Sequence, residues 1–287
     1  MAMISILLAA TLTFTPQDAN VAYRTAKQLV DTCTPRDAGT PRAKSAANCI
    51  LDAASIVGAD VRRDVFTAAT PKGERTFVNL MAEFCSRPDS PWVVIVSHYD
   101  TKPGVDCPGA NDGASTTGLL VGLANALCDW RTPRGNVMLI WTDGEECMEA
   151  YGEQDGLWGS KRAAAVLKQR GIDVKAVICL DMLGDRDLGI TIPRNGSPAL
   201  ANIACYAAKK IGEPGLVQTT SEIVKDDHTA FLAAGFKAVD LIDFKYGSAP
   251  GLNDFWHTPE DTVDKISVKS LERSGRVVVE MLNVLLI

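Results

Sequence analysis

The three histidines among the 287 residues of this chain each stand in a short polar cluster. Acidic residues occur in further clusters along the same stretch. The histidines are His98, His228 and His257, and the acids are Asp112, Glu145, Glu146, Asp181 and Asp226. Imidazole and carboxylate groups without thiolates are typical ligands of catalytic zinc. The residue types therefore predict a zinc site with an open coordination position.

Apolar runs that predict buried strands precede three of these clusters. The runs and the residues that follow them are 92–97 with His98, 137–141 with Glu145 and Glu146, and 176–180 with Asp181. Open α/β folds place their chemistry at the carboxyl ends of their strands. We therefore expect these side chains to converge at one edge of a sheet.

Two local sequence patterns suggest which acids bind metal and which carries a proton. Asp112 lies in a glycine-rich loop, 108–113, which lets the backbone approach a metal closely, although an aspartate there equally fits a helix N-cap. Glu145 and Glu146 are adjacent, so after a strand their side chains point in opposite directions. One acid of such a pair is free to bind metal while its neighbour carries a proton.

In this order along the chain, the residues resemble the M28 zinc peptidase superfamily. The resemblance runs from about residue 35 to the C-terminus. It implies an α/β/α domain that holds one or two zinc ions, with Glu145 as general base. The ligands that it implies are His98, Asp112, Glu146, Asp181 and His257.

Within that superfamily, the chain is most similar to animal-type glutaminyl cyclases. Segment 143–160 has the long insertion that those cyclases carry after their Glu pair, and 226–228 matches their Asp-Asp-His. Trp256 stands in their Trp-His-Thr motif, where the tryptophan lines the substrate pocket. Two residues depart from the pattern, since Tyr151 replaces a tryptophan and Lys225 replaces a glutamine. The resemblance implies a pocket that includes Trp256 and Tyr151.

The first functional hypothesis is a zinc-dependent glutaminyl-peptide cyclotransferase, which converts N-terminal glutamine to pyroglutamate and releases ammonia. One zinc on Asp112, Glu146 and His257 would polarise the side-chain amide, and Glu145 would move the proton. Asp181 and Asp226 would share a proton across a short contact of about 2.5–2.7 Å. His228 is interpreted as structural.

The second hypothesis is an M28 aminopeptidase with two zinc ions bridged by Asp112. His98 and Asp181 would then complete the second metal site, and Glu145 would act on water. A third hypothesis is a binding module on the same scaffold, which the full ligand set disfavours. Asp226, Trp256 and the long insertion favour cyclisation.

Strands alternate with helices along the chain, which predicts a three-layer α/β/α sandwich with a mixed, largely parallel sheet. An antiparallel hairpin, 60–68 with 75–82, is expected at one edge. We expect a single catalytic domain over 19–287. Residues 1–18 are interpreted as a signal peptide or an N-terminal extension, because their apolar run is too short to span a bilayer.

Charge and cysteine content narrow the partners and the compartment. The net charge of −6 argues against nucleic acid as a partner. The family resemblance implies that the partners are peptide or protein N-termini. A signal peptide would imply a periplasmic or secreted protein, and its absence a cytoplasmic one. Cys107 and Cys147 flank predicted ligands, so they are expected either to lie close enough to bridge or to remain buried free thiols.

Overall fold

A largely parallel block of strands forms the centre of the computed structural model, which describes residues 11–131 and 133–286. The apolar runs build these strands because both faces of the sheet are covered. The described strands are β1 (Val61–Thr70), β2 (Gly73–Phe84), β3 (Trp92–His98), β4 (Asn136–Thr142), β5 (Val174–Asp181), β6 (Ile190–Ile192), β7 (Val217–Thr219) and β8 (Ala238–Ile242).

Their spatial order is β1-β2-β4-β3-β5-β8-β6-β7. Neighbours among β4, β3, β5 and β8 are parallel, and the β1–β2 hairpin joins β4 in antiparallel fashion at one edge. A second antiparallel contact, between β8 and β6, introduces the parallel pair β6–β7 at the other edge. The predicted mixed, largely parallel sheet is therefore confirmed.

Helices cover the sheet on both faces. They are α1 (Pro16–Cys33), α2 (Pro41–Ile56), α3 (Thr116–Cys128), α4 (Trp158–Gln169), α5 (Pro198–Lys210), α6 (Asp227–Ala233) and α7 (Val268–Leu285). One hydrophobic core joins α1, α2, α3, α5 and α7 to one face, and a second core joins α4 and α6 to the other. This arrangement is the predicted three-layer sandwich.

The register of the central strands sets the position of the candidate site. His98, the last residue of β3, pairs with Thr142 at the end of β4, and Asp181 ends the neighbouring β5. Glu145 follows Thr142 by three residues. Parallel strands end on the same side of a sheet, so these side chains start from one edge.

The N-terminal apolar run lies partly outside the described residues, which begin at residue 11. Within the described part, Leu12 and Phe14 are buried in the larger core. The Phe14 ring packs directly on Gly275 of α7. No helix in the described ranges is long and apolar enough to cross a membrane.

Close contact between α1 and α3 generates a stability prediction. A methyl group added at Gly118 in α3 would overlap the backbone carbonyl oxygen of Ala22 in α1. Overpacking a rigid core costs about 1–3 kcal/mol. We expect Gly118→Ala to lower the free energy of unfolding by this order in a urea titration. Gly215→Ala, which has open space around it, is the control and should change little.

Candidate metal centre

Asp112 lies between two imidazoles and presents one carboxylate oxygen to each. Its Oδ1 is 3.3 Å from Nε2 of His98, and its Oδ2 is 3.1 Å from Nε2 of His257. Glu146 Oε1 approaches the same nitrogen of His257 at 2.6 Å, and Asp181 Oδ1 lies 3.2 Å from the His98 nitrogen. The five predicted ligands therefore converge, with Asp112 common to both halves.

The donor atoms form two groups that suit a metal ion. Asp112, Glu146 and His257 form one, and His98, Asp112 and Asp181 form the other; within each group the ligand atoms lie within 4.8 Å of one another. Each imidazole turns a single nitrogen toward two carboxylates, and one N–H cannot serve both well. Glu146 Oε2 is buried and has no hydrogen-bond partner. A cation held by this nitrogen-and-oxygen set would meet these demands, and such ligands fit zinc.

Without a cation, the two imidazoles act as the counter-charges of the carboxylates. Burial disfavours a charged His257, but hydrogen bonds to Asp112 and Glu146 outweigh it and raise its pKa to about 10. Burial likewise opposes a charged Asp112, yet hydrogen bonds to His257 and His98 hold its pKa below the ordinary value. Metal binding requires a neutral imidazole, so it would release the His257 proton at neutral pH.

The loop that carries Asp112 is fixed by one buried cation and one buried acid. The fully buried Arg36 donates from Nε to the Tyr99 carbonyl at 2.5 Å and from Nη1 to the Pro108 carbonyl at 2.8 Å. Asp261 accepts from the backbone N–H of Asp112 at 3.1 Å and from that of the preceding residue at 2.7 Å. Arg36 and Asp261 thus hold the loop by its backbone, which leaves the Asp112 side chain free to face the histidines.

Asp100 fixes the turn that carries the two glutamates. Its Oδ1 accepts from the N–H of Gly144 at 2.9 Å and from that of Glu145 at 3.1 Å. Its Oδ2 accepts from the N–H of Glu146 at 3.2 Å, and its Oδ1 is 3.6 Å from Nδ1 of His98. One carboxylate thus positions the Glu pair and faces the far side of a ligand imidazole.

Glu145 contacts Tyr151, whereas its neighbour Glu146 contacts His257. The hydroxyl of Tyr151 donates to both carboxylate oxygens of Glu145, each at 2.9 Å. Burial, followed by the charges of Glu146 and Asp226, raises the pKa of Glu145 well above its ordinary value. A carboxyl group with a raised pKa binds a proton more readily than an exposed glutamate, which suits general acid–base chemistry.

The insertion after the Glu pair is folded around Asp155. This side chain accepts from three successive backbone N–H groups, those of residues 148–150, at 2.6–2.9 Å. The segment is closed further by Gly152, whose N–H donates to the Asp155 carbonyl at 2.9 Å. The compact turn brings Tyr151 back over Glu145.

Asp226 was expected to share a proton with Asp181, and that short contact stays a prediction. Asp226 begins α6 as the N-cap residue, and its Oδ1 accepts from the N–H of Asp227. Its side chain lies with His228 and Asp240, whereas Asp181 lies with His98 and Asp112. The cap fixes Asp226, and the His98 imidazole contacts Asp181 at 3.2 Å. Burial and then the charge of Asp181 still raise the pKa of Asp226 to about 7.

His228 is fully buried and belongs to a third cluster of possible ligands, with Asp226 and Asp240. Its Nε2 lies 2.9 Å from Nδ2 of Asn195, and its Nδ1 is 3.7 Å from Oδ2 of Asp240. Burial lowers its pKa to about 4. A neutral imidazole held in this way fits the structural interpretation.

A cavity of about 260 Å³ opens above the metal-binding groups. The indole of Trp256 stacks on the His257 ring with centroids 3.9 Å apart, and Phe244 packs edge-on against it. The volume lies below the roughly 300–1,000 Å³ typical of sites for drug-sized ligands, so it suits a single residue. The residues that line the cavity are Asp112, Glu145, Glu146, Tyr151, Asp181, 222–226, Ile242, Phe244, Trp256 and His257.

Cys107 and Cys147 are both buried free thiols in the structure, which is the second of the two alternatives expected for them. Lys102 is the polar partner of Cys147. Its ammonium donates to the Cys147 sulfur at 3.1 Å and to the Cys147 carbonyl at 2.9 Å. The same ammonium lies 3.5 Å from Glu146 Oε2. Proximity of each cysteine to a ligand in sequence therefore did not bring the sulfurs together.

Sequence reasoning missed three residues that hold the centre in place: Arg36, Asp100 and Asp261. Asp100 was visible in the cluster that contains His98, two residues after it. Arg36 and Asp261 are far along the chain from the loop that they support, and neither stands in a recognisable pattern. Only the fold brings them to Asp112.

A family model described as peptidase family M28 matches residues 79–282 of the chain. This match includes every predicted metal ligand. The chain belongs to peptidase family M28. Membership fits the pair of adjacent metal-binding groups that share Asp112.

Within M28, several similar proteins are glutaminyl cyclases. The structure of an Acidobacteriales bacterium glutaminyl cyclase has 31% sequence identity and a TM-score of 0.87, and the match covers 99% of each chain. A glutaminyl-peptide cyclotransferase of Drosophila melanogaster is 25% identical over 273 residues, 85% of this chain and 75% of its own. An aminopeptidase of Bacillus subtilis is 28% identical over 195 residues, 65% of this chain and 39% of its own.

The position of Asp100 leads to a prediction about metal affinity. Asp100→Ala removes the acceptor for three N–H groups at the Glu pair and the carboxylate beside His98. Losing such support typically weakens metal binding 10- to 100-fold. Zinc competition with a chromophoric chelator should show this loss.

Asp60→Ala, which changes an exposed acid, is the control and should bind zinc like the original protein. Unchanged affinity in the Asp100 variant would contradict the supporting role.

Proposed function

We propose that this M28 enzyme is a glutaminyl-peptide cyclotransferase, which converts an N-terminal glutamine to pyroglutamate and releases ammonia. The observation that carries the proposal is the place of Glu145. This buried carboxyl group lies in one small cavity with the metal-binding groups, and the cyclase-type insertion brings the Tyr151 hydroxyl onto it. Similarity to glutaminyl cyclases over the full length of the chain supports the same assignment.

The cavity offers different partners to the two ends of the reacting glutamine. We propose that Asp112, Glu146 and His257 hold a single zinc ion. When bound, that ion supplies Lewis-acid polarisation of the side-chain amide. Trp256 and Phe244 form an apolar wall that fits the methylene groups of the side chain. The acids Glu145 and Asp226 attract the α-amino group.

Cyclisation needs one group that moves a proton between two nitrogen atoms. The α-amine attacks the amide carbon, the ring closes, and the amide nitrogen leaves as ammonia. Glu145 takes the proton from the attacking amine and delivers it to the leaving nitrogen. Its raised pKa suits both steps, because a weakly acidic carboxyl group gains and loses a proton with little cost near neutral pH.

Asp226 would orient the amine and stabilise the positive charge of the proton that Glu145 transfers. It is buried beside Asp240, and burial raises the pKa of both acids, so the pair suits a shared proton. Holding amine and amide in one cavity also supplies the proximity advantage of an intramolecular reaction. Small volume and intramolecular attack thus point to the same substrate.

An aminopeptidase is the second candidate, and the group formed by His98, Asp112 and Asp181 favours it. These residues would hold a second zinc ion with Asp112 as the shared ligand. Glu145 would then act as general base for an attacking water. The two candidates use nearly the same residues, so the product and not the ligand set must distinguish them.

Product analysis by mass spectrometry tests the proposal. The zinc-loaded protein would be offered two peptides that are identical except for N-terminal glutamine or leucine. We expect loss of 17 Da, the mass of ammonia, from the first peptide and no change in the second. Release of the terminal leucine, with no ammonia loss from the glutamine peptide, would favour the aminopeptidase.

Glu145→Gln separates proton transfer from metal binding. The variant keeps a side chain of the same shape but cannot carry the proton, so we expect turnover to fall at least about 100-fold. Zinc content, measured by atomic emission, should equal that of the original protein. Zinc loss in this variant would show that Glu145, and not only Glu146, is a ligand.

Tyr151→Phe should change the pH dependence of the reaction. The phenol donates to the Glu145 carboxylate and thereby favours its charged form. Removing the donor raises the pKa of Glu145 further, so the acidic limb of the kcat/KM profile should move to higher pH. A purely structural role of Tyr151 would lower activity at every pH and leave the limb in place.

A further inference from the structure

Two cysteines far from the metal centre lie side by side where α1 meets α2. Cys33 is the last residue of α1, and Cys49 lies within α2. Their sulfur atoms are 3.6 Å apart, although 16 residues separate them in the chain. Among the described residues, no other two sulfurs are within hydrogen-bonding reach of each other. We propose that Cys33 and Cys49 are a disulfide-forming pair.

The geometry requires little movement. A disulfide bond is about 2.03–2.05 Å long, so the sulfurs must approach by roughly 1.5 Å, within the arc swept by rotation about Cα–Cβ. Thr32 Oγ1 lies 3.4 Å from the Cys33 sulfur and 3.9 Å from the Cys49 sulfur. Apart from this hydroxyl, each thiol has the other as its polar neighbour.

Unequal exposure defines the order of the reaction. Cys49 is half-buried and reachable, whereas Cys33 is only 1% exposed. The Cys49 thiolate attacks a low-molecular-weight disulfide and displaces one thiol, leaving a mixed disulfide. Cys33, having lost its proton, then attacks the Cys49 sulfur and displaces the second thiol. The two cysteines are oxidised by two electrons, and the external disulfide is reduced to two thiols.

The bond would stabilise the segment that supports the metal centre. Arg36 follows Cys33 by three residues, and its guanidinium binds the carbonyls of Pro108 and Gly109 in the Asp112 loop. A link between α1 and α2 fixes the chain just before this arginine. Closing a loop of this length should raise the melting temperature by about 5 °C.

The test begins with the full-length, zinc-loaded protein treated with oxidised glutathione at pH 8.5. The higher pH is needed because burial, followed by the hydrogen bond with Cys33, raises the pKa of Cys49. Free thiols are then alkylated, and trypsin separates peptide 28–36 from peptide 45–62. We expect these two peptides to be joined, two hydrogens lighter than their sum, and separated by dithiothreitol.

Melting curves with and without dithiothreitol give the second readout. The oxidised original protein should melt higher than the reduced one, and Cys33→Ser and Cys49→Ser should each abolish the difference. Cys85→Ser and Cys128→Ser, which change exposed cysteines, are matched controls and should preserve it.

Alkylation of both Cys33 and Cys49 after oxidation would overturn the proposal, as would bonds from either one to a different cysteine. The peptide analysis needs no variant, so it decides the matter even if a serine variant fails to fold.

Discussion

The centre of this protein depends on one carboxylate that is divided between two imidazoles. Asp112 gives one oxygen to His98 and the other to His257, and each imidazole also faces a second carboxylate. Burying such acids is costly unless opposite charge compensates them. Imidazolium, or a metal ion in its place, provides that charge. The positions of the two histidines, and hence of the strand ends and loops that carry them, follow from this requirement.

Support for Asp112 comes from backbone contacts and not from regular secondary structure. Arg36 is buried without a carboxylate hydrogen-bond partner and donates instead to loop carbonyls, while Asp100 and Asp261 accept from loop N–H groups. These charges therefore satisfy backbone groups that no helix or strand pairs. Removing one would leave both a buried charge and unpaired backbone atoms.

The sequence predicted what local periodicity and strand position determine. Apolar runs located the central strands, and the residues after them identified His98, Glu146 and Asp181. Short strands were beyond reach, because Ile190–Ile192 and Val217–Thr219 are too short to show alternation. Contacts between particular side chains could not be predicted either. Asp226 lies beside Asp240 because the α6 cap fixes it, and no sequence pattern links the two residues.

The positions of Asp226 and Glu145 both bear on the choice between cyclisation and hydrolysis. Asp226 lies beside Asp240, and Asp181 Oδ1 lies 3.2 Å from Nε2 of His98. That Asp226 sets the number of metal ions through Asp181 stays a prediction. Cyclisation and hydrolysis also differ in what they need beside Glu145. Hydrolysis needs room for a water molecule, and cyclisation needs room for the substrate's own amine. The Tyr151 hydroxyl on Glu145 narrows that side of the cavity, which favours the nucleophile that arrives as part of the substrate.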